Sequence, residues 1–161
     1  MFMAEVVGEL AVILEQSALA QALAGSVWWY PLINAGHILG IALLVGGIVP
    51  LDLKLLGLWS SLPLQPFWRV LRVTAAAGLA LAVTTGSLMF ITRATEYLES
   101  IWFRAKLLVL LLGLVNIVVI MARYTPGAED GPVTPALRAG ALVSLAVWLL
   151  LLVLGRFVGY F

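Results

Sequence analysis

One continuous apolar stretch decides the fold class: residues 102–122, which read WFRAKLLVLLLGLVNIVVIMA. Its charged residues, Arg104 and Lys106, lie near the start, and no charged residue follows within the stretch. The hydrocarbon core of a bilayer needs about 20 mostly apolar residues in a helix, so this stretch is long enough to cross it. A transmembrane strand would alternate apolar and polar residues, and this stretch does not. It therefore predicts a membrane-spanning helix.

Three further stretches have the same character, with limits set by charged or aromatic residues: 28–57, 70–91 and 137–160. Short connections separate consecutive stretches, which predicts an up-down bundle of four antiparallel transmembrane helices. The chain is 63% hydrophobic and 11% charged, whereas soluble domains are about 45–50% apolar and about 25% charged. We therefore predict an all-α integral membrane protein with one transmembrane domain over residues 27–161.

Residues 1–26 precede the first span and are rich in Ala and Leu, but Glu5, Glu9 and Glu15 interrupt the apolar run. This pattern is typical of an amphipathic helix that lies in the membrane interface, which is our prediction for the segment. The segment has no Lys or Arg, so it lacks the basic start of a secretory signal peptide. The same lack of basic residues before the first span predicts an amino terminus outside the cytoplasm.

Composition excludes several classes of function. The chain has no cysteine, which excludes disulfides, iron–sulfur clusters and thiolate zinc sites. Its formal net charge is +1, so no strongly basic surface indicates binding to nucleic acid. No serine lies in the G-x-S-x-G context of a hydrolase nucleophile. We therefore expect no catalytic activity.

Small residues recur at helical spacing in the first two spans. The first span contains the GxxxG pattern of Gly36 and Gly40, followed by Gly47, and the second contains Gly78 and Gly86. Small side chains let membrane helices approach closely. We predict that these glycines pack the first span against the second. A homodimer interface is the alternative.

His37 is the only histidine, and it lies about 15 Å along the first span from the aromatic residues at 28–30. Three roles suit a neutral imidazole there: axial ligand to haem b or a chlorophyll-type pigment, ligand to copper, or member of a polar packing site. Packing is the simplest role. A haem would take Met89, Met121 or a second copy of the chain as its other ligand, or would leave that position open. Asn34 lies one turn before His37 on nearly the same face.

Charged residues flank the first connection. Asp52 and Lys54 end the first span, and Arg69 and Arg72 begin the second. A carboxylate thus faces a basic cluster across a tight turn. We predict an interfacial ion-pair clasp that fixes this hairpin.

The third span contains two more polar residues. Lys106 is expected to extend toward the headgroups, and Asn116 to hydrogen-bond a neighbouring helix. A proton relay is the alternative to these structural roles. The third connection, residues 124–135, is rich in Pro, Gly and acidic residues, and we predict it to be the most mobile loop.

The first predicted span contains four short sequence motifs: WYPL at 29–32, HILG at 37–40, VGG at 45–47 and LDLKLLG at 51–57. In these runs the chain resembles a family of small four-span bacterial membrane proteins known only as a domain of unknown function. Its layout is also similar to that of copper-resistance D membrane proteins. The resemblance extends to Thr85-Gly86, Lys106 and Asn116. It implies a multi-pass protein of the bacterial inner membrane but no activity.

Three hypotheses about function follow. The first is a non-catalytic membrane subunit or anchor, whose partners are lipid and either other membrane subunits or a second copy. The second is a haem- or pigment-binding electron-transfer module with His37 as axial ligand. The third is a small ion or metal transporter, copper included, built around Asp52, Lys106 and Asn116.

Overall fold

The computed structural model describes residues 2–123 and 133–160. Every regular element in these residues is a helix, in the order α1 (Phe2–Glu15), α2 (Ala18–Ala24), α3 (Trp29–Leu56), α4 (Leu64–Ile91), α5 (Ala94–Glu99), α6 (Ile101–Arg123) and α7 (Pro135–Val158). Residues 124–132, which form most of the predicted mobile loop, lie outside the described residues.

Four of these helices, α3, α4, α6 and α7, are long and apolar enough to cross a membrane. The predictions of an all-helical chain and of four candidate spans are confirmed. The α4 helix begins at Leu64, before the start predicted at residue 70. Pro63 is its N-cap residue and Pro66 lies in its first turn, where the missing proline N–H would have no helical partner.

α3 and α4 pack along most of their length as an antiparallel pair. A Cβ atom added to Gly40, Gly47 or Gly78 would lie 2.3–2.7 Å from a backbone atom of the facing helix. Side chains other than hydrogen are therefore excluded at these three positions. Gly36 and Gly86 lie on the same interface, against side chains of the partner helix.

α6 and α7 form a second pair, and contacts between α7 and α3 join the two pairs. The second and third spans were expected to be neighbours, but α4 and α6 do not pack along their length in the described chain. The short helix α5 lies between them in sequence. The helices α4 and α6 make a ring contact near the α5 end, where Phe90 of α4 stacks on Phe103 of α6 with 5.5 Å between the ring centroids.

Two buried apolar clusters fill the bundle, and α7 contributes to both. One lies toward the connection 57–63 and consists of Leu55, Trp68, Ile120, Leu137 and Ala141. The other lies nearer the middle of the helices and consists of Leu44, Ile48, Trp148 and Leu151. We call the end with connection 57–63 the hairpin end and the opposite end, with α5, the α5 end.

The amino-terminal segment forms two helices rather than one, with a bend of 64° between α1 and α2. Ser17 causes the break, since its hydroxyl caps α2 by accepting a hydrogen bond from Ala20 N. α1 packs on α5. Its last residue, Glu15, accepts a hydrogen bond from Thr95 N at 2.7 Å. The segment therefore covers part of the α5 end.

Candidate functional site

Asp52 is a buried carboxylate inside the first candidate span. It lies on α3, which ends at Leu56, and only 3% of its surface is exposed. Its side chain is hydrogen-bonded by Ser144 of α7, which is 2% exposed. The Oδ2 atom of Asp52 is buried and has no hydrogen-bond partner among the described residues. The hydrogen bond recorded for this carboxylate in that part of the chain is the one with Ser144.

The position of Ser144 indicates how deeply Asp52 lies. The apolar segment of α7 runs between Arg138 and Arg156, whose basic side chains mark its two edges. Ser144 follows Arg138 by six residues, or about 9 Å along a helix. Asp52 contacts α7 at this depth, about a third of the way through the apolar segment.

Lys54 is also buried, at 7% exposure, but backbone carbonyl groups satisfy its charge. Its ammonium donates hydrogen bonds to Trp59 O and Leu62 O, both at 2.5 Å. These carbonyls belong to the connection 57–63, where Gly57 and Trp59 have φ angles of 113° and 52°. Lys54 thereby fastens a turn that contains a non-glycine residue in the left-handed region.

The predicted ion-pair clasp at this hairpin does not form. Arg69 and Arg72 are exposed. In the described part of the chain, the recorded ion pair joins Arg93 and Glu96 at 3.4 Å, at the opposite end of the bundle. The reason is the direction of Asp52, which faces α7 rather than the start of α4.

His37 lies at the α3–α4 interface in the half of the bundle nearer the α5 end. Its Nδ1 atom is 2.8 Å from Ala82 O and 3.2 Å from the hydroxyl oxygen of Thr85. A carbonyl oxygen only accepts, so Nδ1 carries a proton and donates it. Gly86 lies against the ring, since a Cβ atom there would be 3.0 Å from His37 Cε1. In the neutral imidazole, Nε2 is left as a free acceptor.

Lys106 was expected to extend toward the headgroups, and it lies against α7 beside Gly155, the residue before Arg156 at the edge of the apolar segment. Its Nζ lies 3.8 Å from the position that a Cβ atom of Gly155 on α7 would occupy. In the described residues, no carboxylate forms an ion pair with Lys106.

An aromatic cluster lies about one turn nearer the α5 end than Lys106. Phe103 precedes Lys106 by three residues and stacks on Phe90, and Tyr97 of α5 packs against both rings. The Tyr97 hydroxyl is hydrogen-bonded to Tyr30 at the start of α3. Burial, with a smaller effect from Tyr30, raises the pKa of Tyr97 to about 12. The cluster bridges the gap between α4 and α6.

Of the other predicted ligands, Asn34 and Met121 are exposed, and Met89 is half-buried on α4. No group of three His, Cys, Asp or Glu side chains that could hold a metal exists in the part of the chain described. A ligand role for His37 stays a prediction from the sequence.

Asn116 joins the two helices of the second pair. Its side-chain amide donates a hydrogen bond to Gly140 O of α7 at 3.0 Å. This contact matches the role expected for Asn116 from the sequence. Gly140 precedes Ser144 by four residues, so Asn116 contacts α7 about one turn from the residue that holds Asp52.

Two residues of the interior were not singled out by the sequence reasoning: Ser144 and Trp148, one turn apart on α7. Trp148 is 2% exposed, and its Nε1 has no hydrogen-bond partner. Its ring lies against Gly113 of α6, where a Cβ atom would be 3.3 Å from Trp148 Cζ2. The signal in the sequence was a serine and a tryptophan at helical spacing in an otherwise aliphatic span.

Comparisons with protein families, with curated proteins and with solved structures find no match. The resemblance drawn from the runs between residues 29 and 57 stays a prediction. The polar side chains inside the bundle therefore provide the basis for a functional proposal.

Proposed function

We propose that this chain is a multi-pass protein of the bacterial inner membrane that binds and moves protons, with Asp52 as the proton-binding group. The single observation that supports this proposal is the state of Asp52. It is 3% exposed inside a candidate membrane span, its Oδ2 lacks a partner among the described residues, and Ser144 hydrogen-bonds its side chain.

An unpaired carboxylate in an apolar interior is costly. Ionisable side chains inside membrane helices are rare, and those that occur commonly mark ion pathways or proton relays. A passive anchor needs only apolar surface and small residues for packing, and an Asn or Leu at position 52 would serve it better. The subunit hypothesis thus leaves Asp52 unexplained, whereas a proton carrier requires such a group.

A proton fits this site better than a metal ion does. Calcium needs six to eight oxygen ligands and magnesium a nearly octahedral set. Asp52 has one hydroxyl neighbour, and no three-residue cluster of ligating side chains is present in the described residues. A carboxylate binds a proton with a single oxygen and loses its charge in doing so, which removes the cost of burial.

The proposal includes the arrangement of the helices and the orientation of the chain in the membrane. The four candidate spans form the up-down bundle, and the α1–α2 segment lies at the interface with its exposed apolar residues, among them Leu10 and Ile13, in lipid. With the amino terminus outside, the α5 end faces outward and the hairpin end faces the cytoplasm. Asp52 then lies nearer the cytoplasmic surface, and protease access to tagged termini tests this orientation.

Proton flux in proteoliposomes tests the function. A potassium gradient with valinomycin sets the membrane potential, and a pH-sensitive dye inside the vesicles reports proton entry. We expect flux with the unmodified chain, its loss with Asp52→Asn, and no change with Glu99→Gln, which alters an exposed acidic residue of α5. Equal flux for Asp52→Asn and the unmodified chain, with both reconstituted to the same density, would discard the proposal.

A second candidate function uses His37 as the axial ligand of a haem or pigment. The observation in its favour is the hydrogen bond from Nδ1 to Ala82 O, because metal-bound histidines usually donate their other ring N–H to a carbonyl or carboxylate. This candidate predicts a Soret or pigment band in protein extracted from native membranes, and the loss of that band in His37→Ala. A featureless visible spectrum would remove it.

Association with other membrane subunits, or with a second copy, stays a prediction from the sequence. Purification in mild detergent tests it directly. A stable monomer without co-purifying protein would count against a subunit role, and it would leave the proposal for Asp52 unaffected.

A further inference from the structure

The arginines at the two ends of the bundle differ in whether the protein supplies an acceptor for them. At the α5 end every arginine donates to a protein oxygen, and the pairs are Arg93 with Glu96, Arg104 with Glu99 O, and Arg156 with the Tyr160 hydroxyl. At the hairpin end four arginine side chains are exposed and have no acceptor among the described residues: Arg69, Arg72, Arg123 and Arg138. We call these four residues the arginine rim.

The arginine rim surrounds one buried cluster. Residues of three helices pack together in the apolar cluster at the hairpin end, and they are Trp68, Ile120 and Leu137. Each lies within one turn of a rim residue, because Arg69 follows Trp68, Arg138 follows Leu137, and Arg123 lies three residues after Ile120. The start of α4, the end of α6 and the start of α7 therefore bring the four arginines to one end of the bundle.

The rim residues also lie where the apolar segments of these helices end. No charged residue occurs in α4 after Arg72, in α6 between Lys106 and Arg123, or in α7 between Arg138 and Arg156. Arginines at such edges keep their stems against apolar surface and place their guanidinium groups at the level of the headgroups. The arginine rim is thus positioned to contact lipid headgroups.

Positive charge is in excess at the hairpin end. Asp52 is buried against α7, and the other side-chain carboxylates of the described residues lie in α1 or α5: Glu5, Glu9, Glu15, Glu96 and Glu99. The connection between α6 and α7 contains Glu129 and Asp130. Even when both are counted at the hairpin end, the four arginines of the rim exceed them.

We infer that the arginine rim binds the headgroups of anionic phospholipids. A guanidinium group carries five N–H donors in a planar fork that matches the oxygens of a phosphate group. Arg69 and Arg72 are three residues apart, so their side chains are neighbours on the surface of α4. A phosphate group between them accepts hydrogen bonds from both and relieves the repulsion between their like charges.

The surroundings favour a lipid over a soluble anion. The neighbouring connection exposes three large apolar side chains by 43–48%, and they are Leu58, Trp59 and Leu62. Tryptophan favours the membrane interface, where its ring contacts lipid. Phosphatidylcholine suits the rim less well than an anionic lipid does, because its choline group brings a further positive charge.

The inference does not rest on the proton-binding role of Asp52. The proposed orientation adds one consequence, since it places the arginine rim in the cytoplasmic leaflet. Anionic lipids of that leaflet attract basic residues near the membrane surface.

Lipid retention by the purified full chain tests the inference. The protein is equilibrated with detergent micelles that contain phosphatidylglycerol or phosphatidylcholine with the same acyl chains, at increasing mole fraction. It is then captured, and the retained lipid is quantified by mass spectrometry. We expect phosphatidylglycerol to bind more tightly. Arg69→Gln with Arg72→Gln should weaken phosphatidylglycerol binding about tenfold or more and leave phosphatidylcholine binding unchanged.

The matched control is Arg93→Gln with Arg104→Gln, which removes the same charge at the α5 end and should leave both affinities unchanged. Arg69→Lys with Arg72→Lys keeps the charge without the planar fork, so it should retain part of the affinity. Unfolding followed by tryptophan fluorescence shows whether each variant is folded, and we expect equal stability because the replaced side chains are exposed.

The source of the phosphate group is tested by competition. Millimolar inorganic phosphate should not displace phosphatidylglycerol when potassium chloride keeps the ionic strength constant. Displacement would assign the arginine rim to a soluble anion and overturn the inference. Equal affinity for the two lipids, or an equal loss in the two glutamine double variants, would also overturn it. Lipid retention is measured without a pH gradient, so lipid binding and proton flux can fail separately.

Discussion

Replacement of Gly78 by alanine should push α3 and α4 apart, with consequences that the structure lets us estimate. A Cβ atom on Gly78 would lie 2.3 Å from Leu44 N and 2.7 Å from Gly40 O. Ordinary contacts of a Cβ atom begin at 3.4 Å. The facing backbone would have to withdraw by about 1 Å, and overpacking of this kind costs about 1–3 kcal/mol.

The matched control is Gly46→Ala, because no atom lies within 4 Å of a Cβ atom placed there. Gly46 is in the middle of α3, so its replacement should stabilise the helix by about 0.4–1 kcal/mol through the entropy of the unfolded chain. Unfolding of both variants in mixed micelles, followed by tryptophan fluorescence, compares their free energies. A Gly78→Ala variant as stable as Gly46→Ala would refute the close approach of α3 and α4. The same approach holds His37 against Ala82, so the ¹⁵N signal of His37 should also change in Gly78→Ala alone.

Three further predictions concern single hydrogen bonds or titrations. Asn116→Leu removes the donor to Gly140 O and should lower the free energy of unfolding by about 0.5–1.5 kcal/mol, and unaltered stability would show that this bond is unimportant. Glu15→Ala should free the Thr95 amide, so that its hydrogen exchange, followed by mass spectrometry, becomes about tenfold faster; an equal exchange rate would contradict the docking of α1. Burial raises the pKa of Tyr97 from 10.0 to about 12, so between these values the folded chain holds the proton more tightly than the unfolded chain and stability falls as pH rises. Ultraviolet titration should show one tyrosine that ionises last, and its persistence in Tyr97→Phe would contradict the assignment.

The membrane-spanning helices could be predicted because a bilayer imposes one simple requirement on each segment. About 20 apolar residues suffice for a span, and the sequence shows them directly. Glycine spacing likewise indicated the α3–α4 pair, since only small residues allow backbones to approach. Gly113 and Gly140 lie between α6 and α7, where each faces side chains of the other helix rather than its backbone. They do not form a recognisable spacing motif and were missed.

The interior polar contacts could not be predicted in the same way, because they depend on how the helices are rotated. Asp52 was assigned to an ion pair with the basic residues that are near it in sequence. In the structure, α3 turns that carboxylate toward α7, where Ser144 lies. Reasoning from the sequence assigns a polar side chain to partners that are near it along the chain. The packing of nonconsecutive helices instead brings it against residues that are distant in sequence.

The break between α4 and α6 has a local cause that short-loop reasoning overlooks. Short connections usually make consecutive helices neighbours. Here α5 occupies the connection, and the ring of its Tyr97 packs against both Phe90 and Phe103, which stack on each other. In the described residues, α4 and α6 meet at this aromatic cluster and do not pack along their length.

Reversible protonation of Asp52 is the most direct test of the account. Infrared difference spectra between acidic and alkaline buffer detect the C=O stretch of a protonated carboxyl group. The acidic residues shared by the unmodified chain and Asp52→Asn cancel when their difference spectra are subtracted. The account predicts that a titrating carboxyl band remains, which belongs to Asp52. Identical difference spectra for the two proteins would contradict it.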